Sequence, residues 1–199
     1  MDDNSDEWEE KQKQYLSVAV ICFLIGFFFF IKFISGEYSI KSMDLQKYEN
    51  LIISAEPKFK EIKGKNVRKW IEFKCVANKS NFEIGSFDYK CANGDEIISE
   101  IKFGDTISIA ILKTDLGDFD RDTSCDIHSL IRNSKEYLDI KCRNKAEKND
   151  GKLGFTILFA MSIMTGIVYS FSEKPDFFNH VNQDLIIGIV VIILFFIMR

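Results

Sequence analysis

The chain has 199 residues, with 26 basic and 30 acidic side chains. Residues 36–152 carry 42 of these 56 charges, 21 basic and 21 acidic, and long apolar runs lie on both sides of this block. Such runs exclude a purely soluble protein. The 117 residues of the block suffice for one small domain. Because its formal charge is zero, the block lacks the basic excess of a nucleic-acid-binding domain, and we expect no nucleic acid as a partner.

The first apolar run follows an acidic N-terminal tail, residues 1–14, and predicts a transmembrane helix over 15–35. Its core, Leu16 to Ile34, has 19 residues, close to the roughly 20 that cross a hydrocarbon core. The one charge, Lys32, lies near the end, where its side chain can reach the headgroups. A cleaved signal peptide is the alternative. The acidic tail and the absence of a small-residue cleavage site favour an uncleaved anchor.

A second transmembrane helix is predicted over 153–171, again without a charge. Ser162, Gly166 and Ser170 recur every four residues and therefore share one helix face. Small residues on one face allow helix backbones to approach closely in lipid. This pattern predicts a helix-packing face, used against the chain's other helices or in self-association.

The third apolar run forms a predicted transmembrane helix over 185–199, after a short polar loop of residues 172–184. Its apolar part, Leu185 to Met198, has only 14 residues. We expect the helix to begin near Pro175, because proline suits a first helical position and the added turns supply the missing length. A half-inserted or tilted segment is the alternative.

Two counts of basic residues disagree about which side of the membrane the charged block faces. Lysines and arginines crowd residues 141–152, which favours a cytoplasmic block. However, long domains cross membranes largely regardless of charge, and only short segments obey the positive-inside rule. In those short segments, one side of the membrane would hold Lys11, Lys13 and Lys174, and the other side would hold Arg199 alone. This favours an N-terminus inside and an extracytoplasmic domain in a multi-pass protein of the cell membrane.

Four of the five cysteines, Cys75, Cys91, Cys125 and Cys142, lie in the charged block. An even number in a small domain predicts disulfides if the compartment is oxidising. Local pairing would join 75 to 91 and 125 to 142, each bond contributing roughly 3 kcal/mol by closing a loop. Three connectivities are open, and reduced, buried cysteines in a cytosolic domain are the alternative.

The block predicts an all-β or β-rich α+β domain resembling an antiparallel barrel or sandwich. Residues 38–54 have a loose helical spacing and are expected to form a helix. Asn93-Gly94 and Gly104-Asp105 predict tight turns between strands. Alternating or β-branched residues predict five to seven short strands, at 70–76, 82–91, 96–103, 106–113, 125–131 and 136–142.

The order of one span, a small domain and further spans is a recognisable layout. It is accompanied by stretches such as KGKNVRKWIEF (63–73) and KFGDTISIAI (102–111). The chain resembles uncharacterised bacterial multi-pass membrane proteins that bear a small β domain. The resemblance covers about two thirds of the chain. It includes no catalytic motif, so it implies an architecture and no activity.

The residues with reactive side chains do not assemble into a catalytic or metal-binding pattern. Asp118, Asp120 and Asp122 begin like a calcium loop, but the glycine and the final glutamate of that loop are missing. Cys125 and His128 form the only closely spaced pair of zinc-ligand type, where a zinc site usually shows two such pairs. We therefore predict no catalytic residue, no metal and no cofactor.

These features predict a non-enzymatic integral membrane protein whose small domain binds a protein partner or an envelope component at the bilayer surface. Self-association is a further expectation. A membrane immunity or toxin-resistance protein that acts through its transmembrane helices is one alternative, and an accessory subunit of a channel or transporter is another. Loss-of-function substitutions on domain strands would favour the first hypothesis, and substitutions on helix faces would favour the alternatives.

Overall fold

A computed structural model describes residues 3–64, 67–119 and 121–198. The chain divides into a helical unit, within residues 1–38 and 148–199, and a domain that spans Ser39–Glu147. In chain order the helices and strands are α1 (Asp3–Ser35), β1 (Leu45–Ile62), β2 (Arg68–Cys75), β3 (Asn81–Ile84), α2 (Ser86–Cys91), α3 (Gly94–Glu100), β4 (Thr106–Leu112), β5 (Ser124–Asp126), β6 (Ser129–Arg132), β7 (Lys135–Glu136), α4 (Ile140–Tyr169) and α5 (Gln183–Met198).

The domain is built on one mixed sheet of seven strands in the order β5-β3-β2-β1-β4-β6-β7. Only β3 and β5 are parallel, and the other neighbours are antiparallel. The strands predicted at 70–76 and 106–113 are confirmed as β2 and β4. With α2 and α3 added, the domain is a β-rich α+β fold.

Strand β1 occupies the centre of the sheet, and its two halves have different partners. The first half pairs with β4 and the second half with β2. The register shifts between Tyr48 and Leu51, and Asn50 lies there with φ 59°. This bulge places Tyr48 and Leu51, three residues apart, against the same core. The three-residue spacing imitates a helix, which explains why the helix predicted over 38–54 is wrong.

Both halves of the sheet contribute to one hydrophobic core. Ile71, Phe73 and Phe82 come from the β2 half, and Ile107 and Ile109 come from the β4 half. All five side chains are almost completely buried. The core therefore holds the two halves of the sheet together.

The strand predicted over 82–91 is wrong in its second half, where α2 lies. The strand predicted over 96–103 is wrong throughout, because its first residues belong to α3 and the rest connect α3 to β4. Asn93 does not form a hairpin turn. Its side chain instead accepts a hydrogen bond from the Glu96 amide and caps α3. Gly94 is required for packing, because an added Cβ would lie 2.9 Å from the Phe59 ring. Asn-Gly thus serves as a helix start that sequence alone does not distinguish from a turn.

The last two predicted strands also need correction. Residues 125–131 form two strands, β5 and β6, which lie in different halves of the sheet. Of the strand predicted over 136–142, only Glu136 lies in a strand, as the second residue of β7. Asp139 accepts hydrogen bonds from the amides of Lys141 and Cys142, so it starts α4 thirteen residues before the predicted span.

In the helical unit, α1 and α4 pack in antiparallel fashion. The Ser162 hydroxyl donates to the Ala19 carbonyl at 2.8 Å. A Cβ on Gly26 would lie 3.2 Å from Leu158 Cβ, so the helices meet most closely there. Phe155 contacts Phe30 and Phe33 further along the pair.

The N-terminal part of α1 packs against the C-terminal end of α4 and the first turns of α5. Gln12 donates to the carbonyls of Tyr169 and Phe171, which lie beyond the last helical hydrogen bonds of α4. The buried Trp8 ring packs with Val168 and Ile187. α1 therefore joins the two other helices at one end of the unit.

Two helices, α1 over Glu7–Ser35 and α4, are long and apolar enough to cross a membrane. A third span is not confirmed. Pro175 precedes a short 3-10 helix, Asp176–Asn179, and Asn182 caps α5 by accepting from the Asp184 amide. The 16 residues of α5 therefore cover only about 24 Å, less than the roughly 30 Å of a hydrocarbon core.

Candidate functional site: a cationic cavity above buried ion pairs

The domain contains an open cavity of about 510 Å³ between the start of β2 and helix α2. β2 and the residue before it contribute a valine and two cations, and α2 contributes two hydroxyl groups and a third cation. The lining residues are Val67, Arg68, Lys69, Ser86, Tyr89 and Lys90. These described lining residues thus combine positive charge with hydrogen-bond donors.

Arg68 connects this cavity to the interior of the domain. Its Nη2 donates to Glu83 Oε2 at 2.6 Å, and its guanidinium lies 4.9 Å from the centre of the Trp70 ring. Glu83 is buried and also accepts from the Ser124 hydroxyl. These contacts fix the direction of the guanidinium, while 55% of the Arg68 side chain stays exposed.

Asp126 lies at the edge of the same group. A Cβ on Gly85 would lie 3.7 Å from Asp126 Oδ1 and 3.9 Å from Arg68 Nη2, so glycine leaves room between the two charges. The surrounding protein, and then the negative charge of Glu83, raise the pKa of Asp126 above its ordinary value. Proton binding by Asp126 therefore changes the charge beside the cavity.

A second group of charges is buried behind α2. His128 Nδ1 lies 2.9 Å from Asp88 Oδ2, and Arg143 Nε lies 3.6 Å from the same oxygen. Arg143 also pairs with Glu147. Among the described residues, His128 Nε2 is buried and has no hydrogen-bond partner. The pair ties α2 to the strand region and to the start of α4.

The predicted local disulfides are wrong. The structure instead joins Cys91 to Cys142, with a Cα–Cα distance of 5.8 Å, because α2 ends beside the first turn of α4. Cys75 and Cys125 are free and buried. Burial raises the pKa of the Cys75 thiol to about 12 and that of Cys125 to about 11, so neither is an accessible thiolate.

The alternative metal sites are not assembled in the described part of the chain. Cys142 is bonded to Cys91, so it is not available to join Cys125 and His128 as a zinc ligand. Of the possible calcium ligands, Asp120 lies outside the described residues. No group of three potential metal-ligating side chains is found in residues 3–64, 67–119 and 121–198.

The predicted packing face of α4 is divided. Ser162 contacts α1, whereas an added Cβ on Gly166 would meet no atom within 4 Å among the described residues. Ser170 is exposed and donates to the Ile167 carbonyl of its own helix. Packing within the chain thus uses Ser162 alone of the three, and self-association through Gly166 and Ser170 stays a prediction.

Sequence reasoning did not single out the cavity. Its signal is the run KGKNVRK (63–69), in which basic residues cluster at the start of β2. Lys90 comes close to these basic residues only because residues 86–91 form α2, whereas the sequence predicts a strand there. No family model, curated protein or solved structure matches the chain, so its function must be argued from these contacts.

Proposed function

We propose that this protein is a non-enzymatic membrane protein whose Ser39–Glu147 domain is an interaction module on the extracytoplasmic side. The observation that carries the proposal is the apolar surface of the helical unit. Only 11% of the residues in the apolar window of α1, and 11% of those in α4, are buried. The core helix of a soluble protein would be mostly buried, so lipid is the solvent that this surface fits.

The contacts of α1 with α4 support an uncleaved membrane anchor and argue against a cleaved signal peptide. Leu24 and Phe28 are more than half exposed, whereas Ala19 and Cys22 are buried at the helix interface. A signal peptide that is removed after export would not need the Ser162–Ala19 hydrogen bond or the close approach at Gly26.

We further propose α5 as a third, shorter membrane segment. Its polar first turn holds Gln183 and Asp184, and Asp184 accepts a hydrogen bond from the Tyr15 hydroxyl at 2.9 Å. Beyond that turn Ile189, Ile192 and Phe196 are exposed apolar residues. Local thinning of the bilayer would accommodate its length of about 24 Å.

The Cys91–Cys142 bond supports an extracytoplasmic domain, because structural disulfides persist in oxidising compartments and are rare in the cytosol. The charge count of the short segments points the same way. A non-enzymatic role is supported by the buried charges, since the Glu83 and Asp88 carboxylates are held by Arg68 and His128 in the protein interior.

Labelling of single cysteines with a membrane-impermeant maleimide tests this topology. Lys74→Cys, on an exposed position of β2, should react in intact cells of a bacterial host. Lys13→Cys, whose native side chain is 71% exposed in α1, should react only after the membrane is opened. The reverse order of reaction would place the domain in the cytoplasm and refute the proposal.

A second candidate function rests on the open position at Gly166. This surface would accept a helix of another membrane protein, as an immunity protein or an accessory subunit of a channel would require. Random substitution with a functional screen separates the candidates. Loss of function concentrated on the domain favours the interaction module, and loss concentrated around Gly166 and Ser170 favours the helix-contact role.

A further inference from the structure

The stretch of sequence from the end of β1 to the start of β2 is the most basic part of a block that is otherwise balanced in charge. Residues 58–69 contain six basic side chains and one acidic side chain, Glu61. The basic residues are Lys58, Lys60, Lys63, Lys65, Arg68 and Lys69. Two of the six, Arg68 and Lys69, line the cavity, so part of this excess of positive charge lies at its wall.

Two of the three cations of the cavity, Arg68 and Lys69, leave donors for a ligand. Glu83 holds Arg68 through Nη2, which leaves the other nitrogens of the guanidinium for a second acceptor. Lys69 lies 3.7 Å from Glu61, and both side chains are substantially exposed, so water screens this pair and an incoming anion competes with it easily. Lys90 approaches from α2, with its ammonium 4.8 Å from the Phe87 ring.

We propose that this cavity binds a phosphate group, carried either by a lipid headgroup or by a small soluble compound. The inference rests on the proposed function, since it names the ligand class of the interaction module. A guanidinium fixed by a buried carboxylate presents a planar fork that matches two phosphate oxygens. Lys69 and Lys90 add charge, and the Ser86 and Tyr89 hydroxyls add donors.

The size and surface of the cavity agree with this ligand. About 510 Å³ is within the range of small-molecule sites and exceeds the volume of a single phosphate. Val67, 60% exposed at the wall, and the Tyr89 ring provide apolar contact for the remainder of the ligand. A phosphate attached to a larger organic group therefore fits better than the free ion.

Trp70 provides a direct reporter, because the Arg68 guanidinium lies against its ring. The chain has two tryptophans, so Trp8→Phe leaves Trp70 as the only indole. The full chain with this substitution is titrated in nanodiscs of phosphatidylcholine with inorganic pyrophosphate, at constant ionic strength set with chloride. A parallel set of nanodiscs contains phosphatidylglycerol and no pyrophosphate.

A saturable change of Trp70 fluorescence with pyrophosphate would show a soluble phosphate ligand. A change with phosphatidylglycerol alone would identify a headgroup.

Two substitutions in the cavity test the assignment of its residues. Lys90→Gln and Arg68→Lys should each raise the apparent Kd about tenfold, the effect of losing one charge-assisted contact. Arg68→Lys keeps a cation beside Glu83, and Lys90→Gln leaves the Arg68–Glu83 pair unchanged. Both variants should therefore retain the fold. Lys74→Gln, an exposed β2 residue outside the cavity lining, is the control and should bind normally.

No change with either probe, or a change that is equal in Lys90→Gln and the control, would overturn the inference. This failure is distinguishable from failure of the proposed function. If Lys74→Cys is labelled in intact cells and Trp70 does not respond, the exported module stands without this ligand. If Lys74→Cys is labelled only in opened cells and Trp70 responds, the cavity stands in a cytoplasmic domain.

Discussion

At the residue scale, the buried group of Asp88, His128 and Arg143 has more influence on stability than any exposed ion pair. Removal of Asp88 leaves the buried His128 Nδ1 without its hydrogen-bond partner and Arg143 with Glu147 alone, which costs about 3 kcal/mol. We expect Asp88→Ala to lower the free energy of unfolding by about 3 kcal/mol, measured by thermal unfolding in detergent. Asp95→Ala, at an exposed position of α3, should change it by less than about 0.5 kcal/mol. Equal effects of the two substitutions would contradict this assignment.

Asp126 should make stability depend on pH in the opposite direction from most carboxylates. Its folded-state pKa is raised by burial and by Glu83, so the charged form is less favourable in the folded chain than in the unfolded chain. This penalty is complete above the raised pKa and disappears as the pH falls below the ordinary value of 3.8.

Asp126→Asn should therefore raise the unfolding temperature at neutral pH, with the gain vanishing in acid close to the ordinary aspartate value. The rise should be small, because the side chain keeps contact with solvent. Unfolding curves of both proteins across this pH range provide the measurement. A variant that is less stable than the native protein at neutral pH would show that the Arg68 attraction exceeds the cost of burial.

At the element scale, the Cys91–Cys142 bond attaches α2 to the first turn of α4 across a sequence separation of 51 residues. Closing a loop of this length stabilises the folded state by about 4 kcal/mol in the chain-entropy model. Cys91→Ala with Cys142→Ala should lower the free energy of unfolding by about that amount. A reductant should destabilise the native protein and leave the double variant unchanged; a reductant effect in the double variant would exclude this bond as the cause.

The contact of α1 with α4 gives a matched pair of glycine substitutions. Gly26→Leu places new atoms against Leu158 and Phe159 and should cost about 1 to 3 kcal/mol of stability. Gly166→Leu extends into open space and should leave the stability of the monomer unchanged. Thermal unfolding and size-exclusion chromatography in detergent measure both. A change of oligomeric state caused by Gly166→Leu would show that a second chain packs on this face.

The sequence predicted most reliably the elements whose apolar pattern is uninterrupted. β2 and β4 alternate in burial or are continuously apolar, and α1 and α4 contain long apolar runs. β1 was missed because its bulge between Tyr48 and Leu51 breaks the two-residue period. α3 was missed because Asn93 is equally suited to a turn and to a helix cap.

The candidate site depended on contacts that no local pattern reveals. Arg68 and Glu83 are 15 residues apart and meet only because β2 and β3 are paired, with Glu72 opposite Glu83. The Cys91–Cys142 bond was missed for a similar reason. Its cysteines become neighbours when α2 forms, and that segment was predicted as a strand.

At the scale of the whole molecule, α1 and α4 are long and apolar enough to cross a membrane, and only 11% of the apolar window of each helix is buried. We expect the protein to remain in the membrane pellet after alkaline carbonate treatment, since lipid contacts do not depend on charge. The same membranes extracted with detergent should release it. Release by carbonate alone would show that the helices are covered by protein and not by lipid.

The position of Cys142 also determines the timing of assembly. Cys142 is the third residue of α4 and precedes the apolar part of that helix by about ten residues. During synthesis its partner Cys91 is available 51 residues earlier and must wait as a free thiol. If the domain is exported, the Cys91–Cys142 bond forms only after Cys142 has also crossed the membrane. In cells that lack an extracytoplasmic thiol oxidase the chain should therefore accumulate with its helices inserted and with Cys91 and Cys142 as free thiols.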